Sequence, residues 1–416
     1  MYILNLIEMR ALVIAGGLPQ IELIKQLKER GIETLLADGS PAAVARPYAD
    51  KFYHVDVFAI DAIKMIAVNE QVDFLITVCA DQVLLVVAQV SEILGLPCYI
   101  DYETGKNVSD KIRMKRIFKR SGIPTTDYVE TTFLDFDSIN HLNYPLIVKP
   151  VDAYSSKGVR KAENIDELKQ YYEEAQRIGR SGRVIVEEFF EGEEISVDAF
   201  VVNGKAKILN VTNSEKVKDK NRFVIFRGRY PAKISSVVMS QIEEVTQKIS
   251  DGFGLINSPL LVQLLVNDDS ISVLEFCART GGNMKYLLIK YSSGIDVIGA
   301  TIDITLGKSP RLSPQYKTHN IVVNDFVYCN PGIFDHFEGF EELEKNGVIN
   351  EFHPVRLKGT QMKGVTSSSD RVAGMNIVAD TIDEYNAKRE RINASVKVID
   401  INGLDIMRHD LLLPMK

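Results

Sequence analysis

The chain has 416 residues, of which 45% are hydrophobic and 25% charged, and it carries a net charge of −7. That balance is ordinary for a globular protein of several domains and leaves no basic stripe of the kind that follows nucleic acid. Four cysteines without a C-x-x-C pair, and no apolar run of the ~20 residues that a membrane helix needs, lead us to expect a reduced, cytoplasmic protein with no membrane partner.

Residues 1–9 lack the basic start and small-residue cleavage site of a signal peptide and, with a second Met just before the first strand, read as a tail or a start-site artefact. Strand and helix then alternate up to about residue 105. Strands are predicted at 10–15, 33–37, 52–55, 74–78 and 98–100, with helices at 20–30 and 82–94. The second helix stops at Gly95-Leu96-Pro97. This alternation predicts a parallel sheet with helices on both faces. The turn Ala15-Gly16-Gly17-Leu18-Pro19-Gln20 is not G-x-G-x-x-G, so it does not read as a dinucleotide loop. It remains compatible with a helix N-terminus placed near a ligand.

A helix over 110–121 ends at Gly122-Ile123-Pro124, and a strand follows at 146–149. Asn164, with Glu167 three residues on, caps the next helix. The runs VIVEEFF and EISVDAFVV read as strands, and strands at 260–266 and 271–276 flank the hairpin signal Asn267-Asp268-Asp269-Ser270. Beyond 316, strands are predicted at 320–327 and 395–400 around a helix at 382–392.

Four patches carry candidate chemistry. Ser109-Asp110-Lys111 opens a helix, where the acid alone suits the helix dipole and the lysine alone is compatible with solvation. YPLIVKP (144–150) ends an apolar strand on Lys149, and a loop of small polar residues, Asp152 to Val159, follows directly. A buried lysine there calls for an anionic partner, and the loop can offer N–H groups and hydroxyls to phosphate. A snorkelling lysine above a flexible turn fits the same residues. VIVEEFFEGEE (184–194) combines an apolar strand, an acidic pair and an aromatic pair, which together suit an adenine wall, a hinge and a ribose carboxylate. Taken alone, the patch reads better as an exposed acidic rim. LEFCARTGGN (274–283) places Glu275 at the end of a strand, with Arg279 and two glycines close behind. That arrangement suits a magnesium ligand beside a phosphoryl contact, or a structural Glu–Arg pair.

In this order and spacing the patches resemble the ATP-grasp superfamily, especially its carbamoyl-phosphate-synthetase-like and L-amino-acid-ligase-like members. The resemblance runs from about residue 9 to about 410 and includes Asp370-Arg371-Val372-Ala373-Gly374 near the end. It implies a multidomain α/β and α+β fold. A parallel α/β domain over 1–105 would precede a two-lobed ATP-grasp unit, the small lobe at 106–185 and the large lobe with the catalytic site at 186–315. A C-terminal α+β domain over 316–416 would complete the large lobe.

By the same resemblance, Lys111 and Lys149 hold ATP phosphates, and the loop of Ser155, Ser156, Lys157 and Gly158 closes over them. Glu187 meets the adenine amino group, the backbone at Glu188 and Phe190 makes the hinge contacts, and Glu194 takes the ribose hydroxyls. Glu275 binds Mg²⁺, for which Mn²⁺ would substitute, and Arg279 contacts the transferred phosphoryl group. Two positions depart from the commoner pattern: Gln263 stands where many members have a second acid, and Cys277 where many have Asn. Both are metal positions, which leaves the number of bound ions open; Asn283 is a further oxygen donor nearby.

The implied activity is ATP-dependent carboxylate–amine ligation through an acyl phosphate, with ADP and phosphate as products. An amino acid or other small carboxylate and an amine are the expected substrates, and a homodimer the expected assembly. The segment 211–231 and the stretch after Arg279 would line the substrate pocket, with Arg227 and Arg229 available to a carboxylate; a mobile charged loop fits any single residue of that segment at least as well. The alternatives are a purine-pathway type of enzyme using bicarbonate or formate, or a nucleotide-binding paralogue without turnover.

Overall fold

The computed structural model describes residues 9–133, 136–153, 157–218, 223–282 and 284–412. Short apolar runs near the N-terminus pair in parallel, as their alternation with helices predicts. β1 (Arg10–Ile14), β2 (Glu33–Asp38), β3 (Lys51–His54) and β4 (Phe74–Ile76) form a sheet ordered β3-β2-β1-β4. α1 (Leu18–Glu29), α2 (Ile60–Asn69) and α3 (Asp81–Leu94) cover it. Ala11 and Val13 pack with Leu23 and Leu27 on one face, and Leu12 and Ile14 with Ile63 and Val87 on the other. Burial on both faces is why these strands read as continuous apolar runs.

One predicted strand is missing: residues 98–100 are irregular. Gly95 ends α3 in the left-handed conformation and Pro97 follows. Asp101 then caps α4 (Tyr102–Ser109) by accepting from the Thr104 N–H. Too little chain lies between the proline and the cap to pair along the sheet. α5 (Lys111–Arg120) starts at once, with Asp110 as its cap rather than its first residue.

The next sheet is antiparallel and ordered β5-β8-β6-β7, from β5 (Tyr128–Thr131), β6 (Leu146–Pro150), β7 (Arg160–Ala162) and β8 (Val184–Glu188). α6 (Phe136–Ile139) and α7 (Ile165–Ile178) accompany it, and the Asn164 side chain caps α7 as the sequence predicts. Leu146, Val148, Val184 and Val186 pack against Leu168, Tyr172 and Ala175 of α7.

β9 (Glu193–Val202), β10 (Lys205–Lys216), β11 (Ile225–Tyr230), β12 (Ser258–Asn267) and β13 (Ser270–Cys277) begin the largest sheet, with α8 (Ser236–Gly252) packed beneath. α9 (Lys285–Ser293) and α10 (Val297–Thr305) lead to the C-terminal elements: β14 (Ile321–Val327), β15 (Gly332–Glu338), α11 (Phe340–Lys345), β16 (Glu351–Pro354), β17 (Gln361–Met362), β18 (Ala373–Ala379), α12 (Ile382–Ser395) and β19 (Lys397–Asp400). β14, β18 and β16 extend the same sheet, giving the order β13-β12-β9-β10-β11-β14-β18-β16. Among the described residues, no helix is long and apolar enough to cross a membrane.

β9 sets the polarity of this sheet. Ile195, Val197, Ala199 and Val201 face the core under α5 and α8. Strand alternation therefore turns Glu194, Ser196 and Asp198 to the opposite face. On β12 the same alternation buries Leu260, Val262 and Leu264 and turns Gln263 and Leu265 toward that second face.

Arg227 does not reach out to a substrate, contrary to the sequence reading. It is 2% exposed, and its Nε donates to Asp325 Oδ1 at 2.6 Å. Arg389 bonds the other oxygen of Asp325 and the Tyr385 hydroxyl. Arg229 lies 3.4 Å from Glu215. Asp325 thus joins two buried guanidinium groups across the sheet, and removing it would strand both charges. Asp325→Ala should cost about 3–5 kcal/mol; thermal unfolding followed by circular dichroism checks this, and an unchanged Tm would contradict it.

Candidate active site

The chain passes from β8 to β9 through Glu188-Phe189-Phe190-Glu191-Gly192. At Gly192 a Cβ would sit 2.6 Å from the Val266 carbonyl oxygen, so only glycine lets the connection run this close to β12. The two antiparallel sheets meet at that crossing and leave a cleft of about 270 Å³. Ile147, Val159, Phe190, Leu265 and Leu274 supply apolar walls. Lys111, Lys149, Lys157, Glu187, Glu188, Glu194, Gln263 and Glu275 also line it. A flat apolar slot edged by a few convergent polar groups suits a base with a charged tail.

On the small-sheet side the controlling group is Glu187, which is 2% exposed. Lys149 pairs with its Oε1, and Lys115 Nζ lies 2.6 Å from its Oε2. The Thr126 hydroxyl donates to Oε2 at 3.1 Å. Burial opposes ionisation of Glu187, yet Lys115 and Lys149 together hold its carboxyl down at about 2. Lys115 is pushed below its ordinary range, by burial first and by repulsion from Lys149 after the Glu187 attraction is counted. The resemblance assigned Glu187 to adenine; the structure shows it fixing Lys149 at the cleft wall. Glu188 is engaged as well. Its N–H donates to the Asp127 carbonyl at 3.0 Å, and its carboxylate accepts from the Asn143 side chain at 2.8 Å.

The large-sheet side is built in rows. Glu275, Gln263, Ser196 and Thr212 lie side by side on neighbouring strands. An irregularity in the β12–β13 pairing sits beside Glu275, between its partner Gln263 and Leu264. Such a bulge re-aims a side chain, and here both Leu274 and Glu275 line the cleft. Lys111 Nζ lies 3.5 Å from Glu275 and donates to the Ala153 carbonyl at 2.9 Å. Although burial works against its charge, Glu275 and Asp81 raise the Lys111 pKa. Gln263 Nε2 donates to Glu194 Oε1 at 3.0 Å, and Lys216 Nζ lies 2.7 Å from Glu194 Oε2. The metal position and the ribose position of the sequence reading are therefore in direct contact.

A divalent cation finds few protein ligands here. Among the described residues no group of three or more His, Cys, Asp or Glu could hold a metal. Glu275 supplies one hard carboxylate, and Gln263, with its amide nitrogen on Glu194, keeps a carbonyl oxygen. That pair fits an ion that arrives with oxygens of its own, as Mg²⁺ does on phosphates. Cys277 does not fit: its thiol is buried, its pKa is driven far up by that burial, and it bonds to Asp81.

A second cavity, about 190 Å³, opens from the first and shares Lys111, Gln263 and Glu275 with it. Arg279 and Lys285 line it. Arg279 Nε donates to Asp81 Oδ1 at 2.5 Å, Nη2 pairs with Oδ2, and Nη1 donates to the Thr280 carbonyl at 2.8 Å. Asp81 is the first residue of α3, beyond the end of β4, so the N-terminal sheet fixes this guanidinium.

Most of the residues singled out from sequence converge: Lys111, Lys149, Lys157, Glu187, Glu188, Phe190, Glu194, Gln263 and Glu275 line the first cavity, and Arg279 the second. Gly158 is packed behind, with φ of 72° and Pro150 against it. Ser155, Ser156 and Asn283 lie outside the described residues. Sequence reading missed Lys115 and Asp81, and it did not single out Lys216 and Lys285 within the two stretches it gave to the substrate pocket. Lys115 was detectable, because it lies four residues after Lys111 on the same helix face.

A family model described as an ATP-grasp domain matches residues 142–286, the stretch that holds Lys149, Glu187, Gln263, Glu275 and Arg279. The chain is 28% identical over 185 residues to a carbamoyl-phosphate synthase of Methanobrevibacter smithii, covering 43% of this chain and 48% of that one. It is 26% identical over 321 residues to a phosphoribosylamine–glycine ligase of Streptococcus pyogenes, covering 71% and 73%. In fold it is similar to the L-amino acid ligase of Bacillus licheniformis, with a TM-score of 0.78 at 19% identity over 94% of this chain and 99% of that one. Residues 142–286 match the ATP-grasp domain, and the chain is similar to ATP-dependent ligases that carry it.

Proposed function

We propose that the protein joins a small carboxylate to an amine through an acyl phosphate, using ATP and Mg²⁺ (or Mn²⁺) and releasing ADP and phosphate. The observation that carries this reading is the junction of the two cavities at Lys111, Gln263 and Glu275, with Arg279 just beyond. A nucleotide in the first cavity would present its terminal phosphate to a carboxylate in the second. The four free cysteines suit a reducing, cytoplasmic setting.

In the first step a carboxylate oxygen attacks the γ-phosphorus, the bond to the bridging oxygen breaks, and ADP leaves. The amine nitrogen then attacks the acyl carbon, the bond from that carbon to the phosphate oxygen breaks, and the nitrogen loses a proton. Glu275 and Gln263 would hold the magnesium, which when bound spreads phosphate charge. Lys149, fixed by Glu187, and Lys111, facing Glu275, meet the phosphates. Arg279, oriented by Asp81, faces the group in transfer. Their contribution is positioning and charge stabilisation, with little covalent chemistry of their own.

Nucleotide turnover tests the reading. With pooled amino acids, bicarbonate and formate offered in separate reactions, the amino acids should stimulate ATP consumption most, and chromatography should show ADP. AMP as the main product would contradict the acyl phosphate; stimulation by bicarbonate or formate alone would assign the alternative substrate class; no stimulation at all would contradict ligation. The metal assignment makes a separate expectation. Glu275→Gln should lower kcat by at least about 100-fold, by loss of a charged transition-state contact, while Cys277→Ser stays within about twofold because a buried thiol is a poor magnesium ligand. ADP release against Mg²⁺ concentration measures both, and an inactive Cys277→Ser beside an active Glu275→Gln would reverse the assignment.

A further inference from the structure

Asp198 is fully buried on the polar face of β9, two residues beyond Ser196. Its Oδ2 accepts from Lys285 Nζ at 3.2 Å, and Lys285 also donates to the Thr212 hydroxyl at 2.8 Å. Its Oδ1 is buried without a hydrogen-bond partner among the described residues. Lys285 opens α9 and lines the second cavity together with Arg279, its side chain 16% exposed.

The glycine pair after Arg279 explains how the lysine gets there. A Cβ at Gly281 would lie 2.6 Å from Lys285 Cγ and 3.4 Å from Asp198 Oδ1. Only glycine leaves room for the lysine stem to pass toward its carboxylate.

A purely structural ion pair is a poor account of this arrangement. Buried charge pairs rarely stabilise a fold more than apolar side chains of the same volume. A structural pair would also be expected to satisfy both carboxylate oxygens, and here one is left bare. The ammonium has three N–H donors and spends two on Asp198 and Thr212, which leaves one for whatever fills the cavity.

We propose that Lys285 is a specificity-determining residue that binds a carboxylate oxygen of the non-nucleotide substrate in the cavity that Arg279 also lines. Asp198 and Thr212 are positioning residues that hold the ammonium against the cavity wall. This rests on the ligase reading above, because it assigns the second cavity to the acid substrate.

The test is calorimetric titration of the whole protein, saturated with MgADP, with four probes: bicarbonate, acetate, glycine and succinate. At least one should bind the wild type. Its Kd should rise by about tenfold or more in Lys285→Gln, the loss expected for a charge-assisted hydrogen bond, and recover in part in Lys285→Arg. Affinity for MgADP should stay within about twofold, since Lys285 does not line the nucleotide cleft. Should Asp198, once unpaired, prevent folding of the single variant, the double variant Asp198→Asn/Lys285→Gln leaves no buried charge and should lose the probe equally. An unchanged Kd in the glutamine variants, or no binding of any probe to the wild type, overturns the proposal. ADP release that a carboxylate stimulates equally, with the same KM, in wild type and Lys285→Gln overturns it while leaving the ligase reading intact.

Discussion

Lys111, Lys149, Lys216, Lys285 and Arg279 stand in or beside a half-buried cleft, where an unpaired charge is costly. Each faces a carboxylate: Glu275, Glu187, Glu194, Asp198 and Asp81 respectively. This compensation is the constraint on which the site depends. It lets a protein with a net charge of −7 keep a dense group of cations ready for an anionic ligand. It also fixes where the ammonium and guanidinium groups lie before anything binds, which lowers the ordering cost of binding.

The compensation spans elements far apart in the chain. Asp81 comes from the first turn of α3 and Arg279 from the segment after β13, so the N-terminal parallel sheet helps to build the wall of the second cavity. Glu187 joins β8 to α5 through Lys115, one helical turn beyond Lys111. Asp325 does the same structural work between β11, β14 and α12 with no opening to the cleft. The Asp325 and Asp198 clusters differ in how the carboxylate itself is used. Asp325 has a guanidinium on each oxygen, while Asp198 keeps one oxygen bare and lies behind a lysine that reaches a cavity.

Much of the site was legible because charged residues at the ends of apolar strands are rare without a purpose. Lys149 after LIV and Glu275 after SVL announced themselves in this way. Their mutual arrangement was not legible, since pairing depends on register between distant strands. Arg227 looked like a substrate contact in a cation-rich segment, but nothing local shows that Asp325 waits 98 residues away. The segment EISVDAFVV was read as a strand without a face assigned, although its polar residues fall at every second position and mark the face that carries Glu194, Ser196 and Asp198. The strand expected at 98–100 failed for the opposite reason: its composition favoured a strand, and the flanking proline and helix cap left it no length.

In the proposed reaction a nucleotide lies between the two antiparallel sheets, with its phosphates directed at the junction of the two cavities. A crystal structure with Mg²⁺ and a non-hydrolysable ATP analogue tests this most directly. The base should lie between Ile147 and Leu265, with the terminal phosphate within reach of Lys111, Lys149 and the Glu275-bound metal. A base bound elsewhere, or phosphates turned away from Glu275, would contradict the account.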